Sequence, residues 1–459
     1  MFKINFDKPV HVHFIGIGGI SMSGLAEILL DRGFTVSGSD RSKSDLTAHL
    51  EAEGAKVIIG QKAANITPDI DVVVYTAAIH PDNEEYAAAV SNNLPMLTRA
   101  QLLGQLMSNY NTAVAVSGTH GKTTTTSMLT EILLKADANP TISVGGILNS
   151  INGNIRVGGS ETFVTEACEY TNSFLSFEPT IEIILNIEED HMDFFKDIND
   201  IRNSFEKFAK KLPDNGLLII NNDIDKAKEL TLNLNCEIVT YSFKKSSDFM
   251  AENISYDEKG YPEYDLVENG NKTLHIKLSV TGEHNVSNSL AVIAAARKMK
   301  VSDTAIIEGL KAFTGTNRRF EYKGKIGEVT VIDDYAHHPT EIRATLNAAK
   351  NYPHNQIWCA FQPHTYTRTK AFFEDFAKAL SMADNVILLD IYAARETDTL
   401  GVSSELLAEE IKKYNENSYY FPSFDEAENF LLMKCQKGDV IITMGAGDIV
   451  ELGEHLLGN

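Results

Sequence analysis

The sequence contains little of what marks a secreted or membrane-spanning protein. Its four cysteines, Cys168, Cys236, Cys359 and Cys435, are far apart and form no CxxC pair, so we expect reduced, mostly buried thiols. No apolar run approaches the roughly 20 residues that span a bilayer. The segment "MFKINFDKPVHVHFIG" at the N-terminus also lacks the layout of a signal peptide. These features predict a soluble cytoplasmic protein that does not associate with membranes.

Basic residues are scarce relative to acidic ones. The 459 residues include 41 Lys and Arg against 63 Asp and Glu, which gives a formal net charge of -22 at pH 7. Because phosphate backbones are bound by basic patches, this balance argues against a nucleic-acid partner. An anionic small molecule is still compatible with it, since a few fixed cations and backbone N–H groups can bind phosphate inside an acidic protein.

Strand and helix patterns alternate along most of the chain, which predicts an α/β protein of about two to four domains. The runs "VHVHFIGI" and "DVVVYTAA" are typical of buried parallel strands, with a helical pattern between them. A second α/β section starts at "NTAVAVSGTHGKTTTT" and a third after "GTNRRFEY". Between about Cys236 and Val280, the runs "EIVTYSF", "YPEYDLV" and "TLHIKLSV" predict an antiparallel meander attached to the second section.

The segment "AVAVSGTHGKTTTTSML" predicts a loop that holds the phosphates of a nucleotide. Gly118 and Gly121 allow the backbone to turn so that its N–H groups converge on phosphate. Lys122 can place a charge near the β- and γ-phosphates, and Thr123 can offer its hydroxyl to Mg²⁺. The N-terminus of the following helix adds a favourable dipole. The loop is not a full GxxxxGK(S/T) motif, because Val116 stands where the first glycine belongs.

A second glycine-rich loop, "GIGGIS", occurs nearer the N-terminus. Gly16, Gly18 and Gly19 follow a strand and precede a helix, but Ser21 stands where a dinucleotide fingerprint has its third glycine. Asp40 ends the next strand, near the offset expected for a carboxylate that reads a ribose. The loop therefore indicates a site for a dinucleotide or for another diphosphate.

Other polar clusters each admit two interpretations. Glu166 in "VTEACEY" suits a Mg²⁺ ligand, whereas His191 in "NIEEDHMD" suits Mn²⁺ or a softer metal better, or is simply a structural histidine. The polar residues that open "HNVSNSLAVIAAA" either line a site or cap a helix. The arginines of "NRRF" either meet phosphate or form an exposed pair. "DDYAHHPTE" reads as a helix entry, since Pro339 fits the first helical position.

Taken in order, these motifs resemble the Mur ligase family over essentially the whole chain. "GTHGKTTT" is shared with other amide ligases, while "GIGGIS", "DDYAHHPTE" and "FQPHTYTRT" are more specific. The resemblance implies a Rossmann-like domain at 1–107 that binds the UDP-sugar and a central P-loop, ATP-binding domain at 108–314 with a small antiparallel sheet. A C-terminal Rossmann-like domain at 315–459 would bind ATP and the amino acid. It also implies ATP-dependent and Mg²⁺-dependent ligation of L-alanine to UDP-N-acetylmuramate in peptidoglycan synthesis, by a monomer or homodimer.

The resemblance also implies site residues, motif by motif. The residues expected to bind the UDP-sugar are Gly16, Gly18, Gly19, Ile20 and Asp40. The residues expected to bind ATP are Gly118, Thr119, His120, Gly121, Lys122, Thr123, Thr124, His284, Asn285, Asn288, Arg319 and Asp334. The metal ligands would be Thr123, Glu166 and His191, and the catalytic residues Lys122, His337, His338, His364 and Arg368.

The chain departs from common family patterns at two points. Thr365 follows His364 where an arginine is common, which leaves Arg368 as the candidate for gripping a substrate carboxylate. "EACEY" replaces the frequent "EADES", although Glu169 is present in both.

Three rival functions stay open at this stage. The first is a related ligase that adds a murein tripeptide to the same UDP-sugar. A dinucleotide-dependent oxidoreductase with an accessory P-loop is more distant. A non-enzymatic P-loop protein would bind nucleotide without turnover.

Overall fold

The N-terminal unit is a five-stranded sheet in the order β3-β2-β1-β4-β5. Its elements are β1 (His11–Ile15), α1 (Ile20–Asp31), β2 (Thr35–Asp40), α2 (Asp45–Ala52), β3 (Lys56–Ile59), β4 (Val72–Tyr75), α3 (Glu84–Ser91), β5 (Met96–Thr98) and α4 (Arg99–Met107). The computed structural model describes residues 2–76, 78–394, 396–397 and 400–458 of the chain. All pairs in this sheet are parallel, as the apolar runs predicted. The strand order changes direction at β1, so the glycine-rich loop that follows β1 lies at the crevice where open α/β sheets bind ligands.

The central unit contains a ten-stranded sheet in the order β15-β14-β13-β12-β11-β10-β6-β9-β7-β8. Its elements are β6 (Thr112–Ser117), α5 (Lys122–Lys135), β7 (Thr141–Leu148), β8 (Gly153–Arg156), β9 (Thr162–Ala167), β10 (Ile181–Ile184), α6 (Ile198–Ala209), β11 (Leu217–Asn221), α7 (Ala227–Thr231), β12 (Glu237–Ser242), β13 (Phe249–Tyr256), β14 (Pro262–Glu268), β15 (Asn271–Lys277), α8 (Glu283–Lys298) and α9 (Asp303–Ala312). Short 3-10 helices lie at Ala63–Asn65, Asn149–Ile151 and Tyr170–Ser176.

The predicted meander is confirmed for two of its three segments. β14 and β15 pair antiparallel, and β13 pairs antiparallel with β14. The segment "EIVTYSF" forms β12, which pairs in parallel with both β11 and β13, so its inclusion in the meander was wrong. A short apolar run fits a buried strand of either direction, and only the pairing decides between them. The antiparallel strands extend the central sheet at one edge.

The C-terminal unit is a six-stranded sheet in the order β16-β17-β21-β18-β19-β20. Its elements are β16 (Glu321–Ile326), β17 (Val329–Asp334), α10 (Pro339–Asn351), β18 (Ile357–Phe361), α11 (Tyr366–Ala371), α12 (Phe373–Leu380), β19 (Asn385–Leu388), α13 (Ser404–Ile411), β20 (Ser418–Tyr420), α14 (Phe424–Lys434), β21 (Val440–Met444) and α15 (Val450–Leu456). Only the β16–β17 pair among these described strands is antiparallel. The segment "YTRTKAFFEDFAKAL" has the apolar spacing of one helix, but it is divided at Phe372 into α11 and α12.

The N-terminal and central units meet through close contacts at two glycines. A Cβ on Gly24 of α1 would lie 2.1 Å from the side chain of Ile155 in β8, and one on Gly104 of α4 would lie 1.9 Å from the carbonyl oxygen of Ser176. Neither position has room for a side chain, because such approaches are below any real carbon contact. These contacts hold the first glycine-rich loop in a fixed relation to the second. Among the described residues, no helix has both the length and the apolar character needed to cross a membrane.

Candidate active site

The loop between β6 and α5 has the backbone that a phosphate site needs. Gly118 and Gly121 have φ of +140° and +86°, a backbone region that residues other than glycine rarely adopt. The N–H groups of Thr119 and His120 donate to the backbone and side chain of Asn186, at 3.2 and 2.8 Å, which fixes the loop. The first N–H groups of α5 have no partner within the helix and point at the loop.

Lys122 lies over this loop as half of a buried ion pair. Its Nζ donates to Glu169 Oε2 at 2.9 Å and to the carbonyl of Thr119 at 3.1 Å. The Lys122 side chain is 14% exposed and that of Glu169 is 2% exposed. Burial alone would lower the pKa of Lys122, but the neighbouring Glu169 carboxylate outweighs it and holds the pKa above its usual value. The ammonium charge is therefore permanent at neutral pH.

The three predicted metal ligands, Thr123, Glu166 and His191, lie near this ion pair, and each of them lies beside a carboxylate or carries one. The Thr123 hydroxyl lies near Glu166, whose pKa is raised by burial. His191 has a left-handed backbone (φ +54°) and its Nε2 lies 3.8 Å from Glu169 Oε1. Among the described atoms, that Oε1 is buried and has no hydrogen-bond partner. The structure thus gives two neighbouring pairs, Thr123 with Glu166 and His191 with Glu169, and Lys122 acts on both carboxylates. Their oxygen-rich donors suit a hard dication such as Mg²⁺.

Two histidines of "DDYAHHPTE" meet the phosphate loop across the junction between the units. His120 Nδ1 donates to Glu341 Oε1 at 3.1 Å, and the N–H of His337 donates to Glu341 Oε2 at 3.0 Å. The Thr340 hydroxyl donates to Glu188 of the central unit at 2.6 Å. His338 lies with its ring centroid 4.8 Å from that of His120. Glu188 and Glu341 were not predicted as site residues, although each stands inside a motif that was.

Arg368 is held by a carboxylate that the sequence analysis also missed. Its Nη2 donates to Asp190 Oδ1 at 2.9 Å, and its Nη1 lies 3.4 Å from His364 Nδ1. Burial would raise the pKa of Asp190, but the Arg368 guanidinium outweighs it and holds that pKa well below its usual range. Burial lowers the pKa of His364 to about 4, so the imidazole is neutral near pH 7. The pair joins the C-terminal unit to the loop that follows β10.

A cavity of about 770 Å³ lies between the central and C-terminal units, a volume typical of small-ligand sites. Arg319, His284, Asn288 and Asp334 line it together with the phosphate loop. Burial lowers the pKa of His284 to about 4 and raises that of Asp334 to about 6. The structure therefore brings most of the predicted ATP-binding residues to one cavity.

Two alternatives left open by the sequence are decided by geometry. Gly282 occupies the N-cap of α8 and offers no side chain, so the asparagines that follow are not N-caps. Asn285 instead donates to the carbonyl of Thr281 at 2.7 Å. Arg318 is not half of an exposed pair, because it donates to Asp333 at 2.9 Å and to the carbonyls of Gly445 and Gly447. Arg319 alone of the two lines the cavity.

The first glycine-rich loop is tied to the end of β2. The N–H of Gly18 donates to Asp40 Oδ2 at 2.8 Å, and Gly16 has φ of +87°. Gly19 takes the N-cap of α1, and Ile20 beside it is 67% exposed. Asp40 thus holds the loop itself, in addition to any contact it makes with a ribose.

Arg99, at the start of α4, is a missed residue of the crevice beside this loop. Its Nη1 donates to the Ser21 hydroxyl at 3.0 Å. Burial lowers the pKa of Arg99. None of the carboxylates in the described part of the chain forms an ion pair with it. A half-buried guanidinium without a counter-ion is suited to an anionic ligand, yet no motif in the sequence singled it out.

Comparison with known proteins gives a consistent picture along the whole chain. Residues 11–111 match "Mur ligase family, catalytic domain", residues 116–296 match "Mur ligase middle domain", and residues 318–447 match "Mur ligase, glutamate ligase domain". The chain is 59% identical over 457 residues to a UDP-N-acetylmuramate–L-alanine ligase of Agathobacter rectalis and 60% identical over 458 residues to one of Lachnospira eligens. Each match covers 100% of this chain and 100% of the relative.

Solved structures show the same similarity in three dimensions. The UDP-N-acetylmuramate-alanine ligase of Thermotoga maritima matches with a TM-score of 0.78 at 31% identity, over 98% of both chains. A murein peptide ligase of Psychrobacter arcticus matches with a TM-score of 0.67 at 27% identity, again over 98% of both.

Proposed function

The chain belongs to the Mur ligase family, and on that premise we propose that it joins L-alanine to the lactyl carboxylate of UDP-N-acetylmuramate, using ATP, in peptidoglycan synthesis. The observation that carries this function is the full-length identity to alanine ligases, at 59% and 60%. The active-site geometry agrees with it, because a carboxylate ligase needs a phosphate loop, a fixed cation and a second site for an anionic substrate. We also propose that the protein works in the cytoplasm, as a monomer or homodimer.

The reaction must first make a carboxylate electrophilic. A lactyl oxygen attacks the γ-phosphorus of ATP, the bond to the β,γ-bridging oxygen breaks, and ADP leaves. The amino group then attacks the acyl phosphate, and the C–O bond to phosphate breaks as the amide forms. The protein must therefore neutralise two anions as they approach. Lys122 supplies that charge from its position over the loop, and it can exchange Glu169 for the phosphate.

We propose that Thr123, Glu166 and His191 hold Mg²⁺, together with Glu169, whose Oε1 has no hydrogen-bond partner among the described residues and lies 3.8 Å from His191 Nε2. When bound, the ion would supply charge neutralisation on the phosphate oxygens. The chain's own residues set the rest of the geometry. The N–H of Gly145 donates to Glu166, and His191 stacks on Tyr170 with ring centroids 4.5 Å apart.

The three candidate bases for the amine proton can be ranked from their hydrogen bonds. His337 Nδ1 lies 2.9 Å from the carbonyl of Tyr335 and 3.4 Å from Glu341, which keeps the proton on Nδ1 and a lone pair on Nε2. His338 uses Nδ1 to accept from Thr340, and His364 uses Nδ1 toward Arg368. A neutral imidazole oriented by a carboxylate is the usual arrangement of a general base. We therefore infer that His337 accepts the proton.

The two glycine-rich loops divide the work. We propose that the loop from Gly16 to Ile20 anchors the UDP diphosphate, with Arg99 as a counter-charge, while the loop from Gly118 to Thr124 holds the phosphate that is transferred. Arg368 and His364 would orient the incoming amino acid or its carboxylate. Closure of the units around both substrates would keep water from the acyl phosphate.

One assay tests the function. The purified chain is given ATP, Mg²⁺ and UDP-N-acetylmuramate, and phosphate release is compared for L-alanine, glycine, L-serine and the murein tripeptide. We expect release that depends on both the UDP-sugar and the amino acid, with L-alanine the preferred acceptor. Preference for the tripeptide would assign the chain to the recycling reaction instead. Nucleotide binding without amino-acid-dependent release would refute a ligase.

A further inference from the structure

Two histidines and a glutamate converge where the phosphate loop meets helix α10. One ligand-capable atom from each of His120, Glu188 and His338 lies within 4.8 Å of the other two. Nε2 of His120 is 3.7 Å from Glu188 Oε2. The proposed ligase reaction assigns no task to Glu188 or His338, so it does not explain why they converge on His120.

Both imidazoles of this cluster have a nitrogen that makes no hydrogen bond with the described residues. Within the described part of the chain, Nε2 of His120 and Nε2 of His338 are buried and have no hydrogen-bond partner. His338 is 4% exposed as a whole residue. Leaving buried polar atoms unpaired is costly, and such atoms usually mark a missing water, ion or ligand.

The surroundings of the cluster are those of a metal site. His120 donates Nδ1–H to Glu341 at 3.1 Å, which leaves the Nε2 lone pair facing the cluster. A carboxylate on the far nitrogen is the typical partner of a metal-bound histidine. Glu188 is held by the Thr340 hydroxyl at 2.6 Å. Its side chain is 36% exposed and lines the cavity, which gives an ion a route of entry.

We propose that His120, Glu188 and His338 bind a transition-metal dication such as Zn²⁺, and that the bound ion joins the central unit to the C-terminal unit. Two imidazole nitrogens and one carboxylate are a donor set that suits Zn²⁺ or Co²⁺ and leaves a fourth position open. Mg²⁺ requires oxygen ligands and is unsuited to this set. The site is therefore distinct from the one proposed at Thr123 and Glu166.

Binding requires a proton to move on His338. Burial would lower the pKa of His120, but Glu341 and Glu188 outweigh it and raise that pKa, so chains in which His120 is protonated also release its Nε2 proton to solvent. The N–H of Thr340 donates to His338 Nδ1 at 3.3 Å, so Nε2 carries the ring proton in the free chain. When the metal takes the Nε2 lone pair, that proton transfers to Nδ1 and the long hydrogen bond to Thr340 is lost. Charge balances without a further reactant, because Glu188 and Glu341 supply two negative charges beside the dication.

The position of the cluster gives the ion a consequence for turnover. His120 and Glu188 belong to the central unit and His338 is the N-cap of α10. His120, Glu188 and the first turn of α10 line the cavity proposed to bind ATP. An ion shared between them restrains the two units from separating. Since product release in such enzymes requires opening, we expect Zn²⁺ to inhibit turnover reversibly, with relief by a zinc-selective chelator and none by excess Mg²⁺.

The test measures metal binding directly, without the ligase reaction. The full-length chain, free of nucleotide and in excess Mg²⁺, is titrated with Co²⁺ while the visible absorption of a four-coordinate ion is recorded, and Zn²⁺ is then added as competitor. His338→Asn removes Nε2 and keeps an N-cap acceptor for Thr340. Glu188→Gln keeps an acceptor for the Thr340 hydroxyl. The matched controls are Glu189→Gln, an exposed neighbour, and His191→Asn, in the proposed Mg²⁺ site.

We expect one Co²⁺ per chain, displaced by Zn²⁺, with affinity at least about tenfold weaker in His338→Asn and in Glu188→Gln. Both controls should bind as the unmodified chain does. Absence of a saturable spectrum, or a loss that follows His191 and not His338 or Glu188, overturns the site. Inhibition by Zn²⁺ that persists in Glu188→Gln overturns the restraint. Since ligase activity is not the readout of binding, failure of the proposed function would leave this result unchanged.

Discussion

Replacing Lys122 with methionine should separate its structural role from its catalytic one. The ion pair with Glu169 has an N–O distance of 2.9 Å and side chains that are 14% and 2% exposed. Removing one partner of a buried pair costs about 3–5 kcal/mol, because the other charge is left unpaired. Lys122→Met should lose stability of that order, and Lys122→Met/Glu169→Gln should recover most of it, since neither charge is then buried alone. Both variants should lose about a hundredfold or more in kcat, as for loss of a preorganised charge.

Urea unfolding and ADP formation measure these two effects separately. The single tryptophan, Trp358, belongs to the C-terminal unit, so unfolding of the central unit is better followed by far-UV circular dichroism. Lys122→Arg is the matched control that keeps the charge. If the double variant is as unstable as Lys122→Met, the ion pair is not the source of the loss. Turnover of Lys122→Met at the unmodified rate would refute the phosphate assignment.

Four further predictions concern residues outside that pair. Asp40→Asn should raise KM for the UDP-sugar and leave KM for ATP unchanged; a selective ATP defect would contradict the division between the loops. Arg99→Gln should raise KM for the UDP-sugar about tenfold or more, with partial recovery in Arg99→Lys, and an unchanged KM would remove Arg99 from the site. Glu182 is buried and its pKa is raised well above its usual value by that burial. As pH rises above about 4.5, the Glu182 carboxyl loses its proton in the unfolded chain but keeps it in the folded chain. The free energy of unfolding of the unmodified chain should therefore fall by about 1.4 kcal/mol per pH unit up to the folded pKa. Urea unfolding at about pH 5 and about pH 8 should show this decline in the unmodified chain and not in Glu182→Gln. Gly24→Ala should cost about 1–3 kcal/mol by overpacking and be rescued by Ile155→Ala; additive losses would show that the two do not touch.

The sequence predicted elements and loops well because their signals are local. Glycines that precede Lys122 and Thr123, between a strand and a helix, specify a phosphate loop without any long-range contact. The parallel strands followed from continuous apolar runs for the same reason. The direction of β12 and the break at Phe372 did not follow, since pairing and packing decide them.

The acidic partners of the site were missed because they act across the fold. Glu341 contacts His120 although the two residues are 221 positions apart in the sequence, and Asp190 contacts Arg368 across 178 positions. Glu169 was visible in its motif, but only the structure places it beside Lys122. Arg99 stands in a stretch that reads as an ordinary helix start. The role of such a residue depends on a partner from a distant part of the sequence, and only the folded chain brings the two together.

Oxygen transfer tests the central claim, that the second loop activates the lactyl carboxylate by phosphorylation. UDP-N-acetylmuramate labelled with ¹⁸O in that carboxylate is converted with ATP and L-alanine, and the released phosphate is analysed by mass. Because the C–O bond to phosphate breaks when the amine attacks, the account predicts that each phosphate carries one oxygen from the carboxylate. Unlabelled phosphate alongside normal amide formation would contradict it.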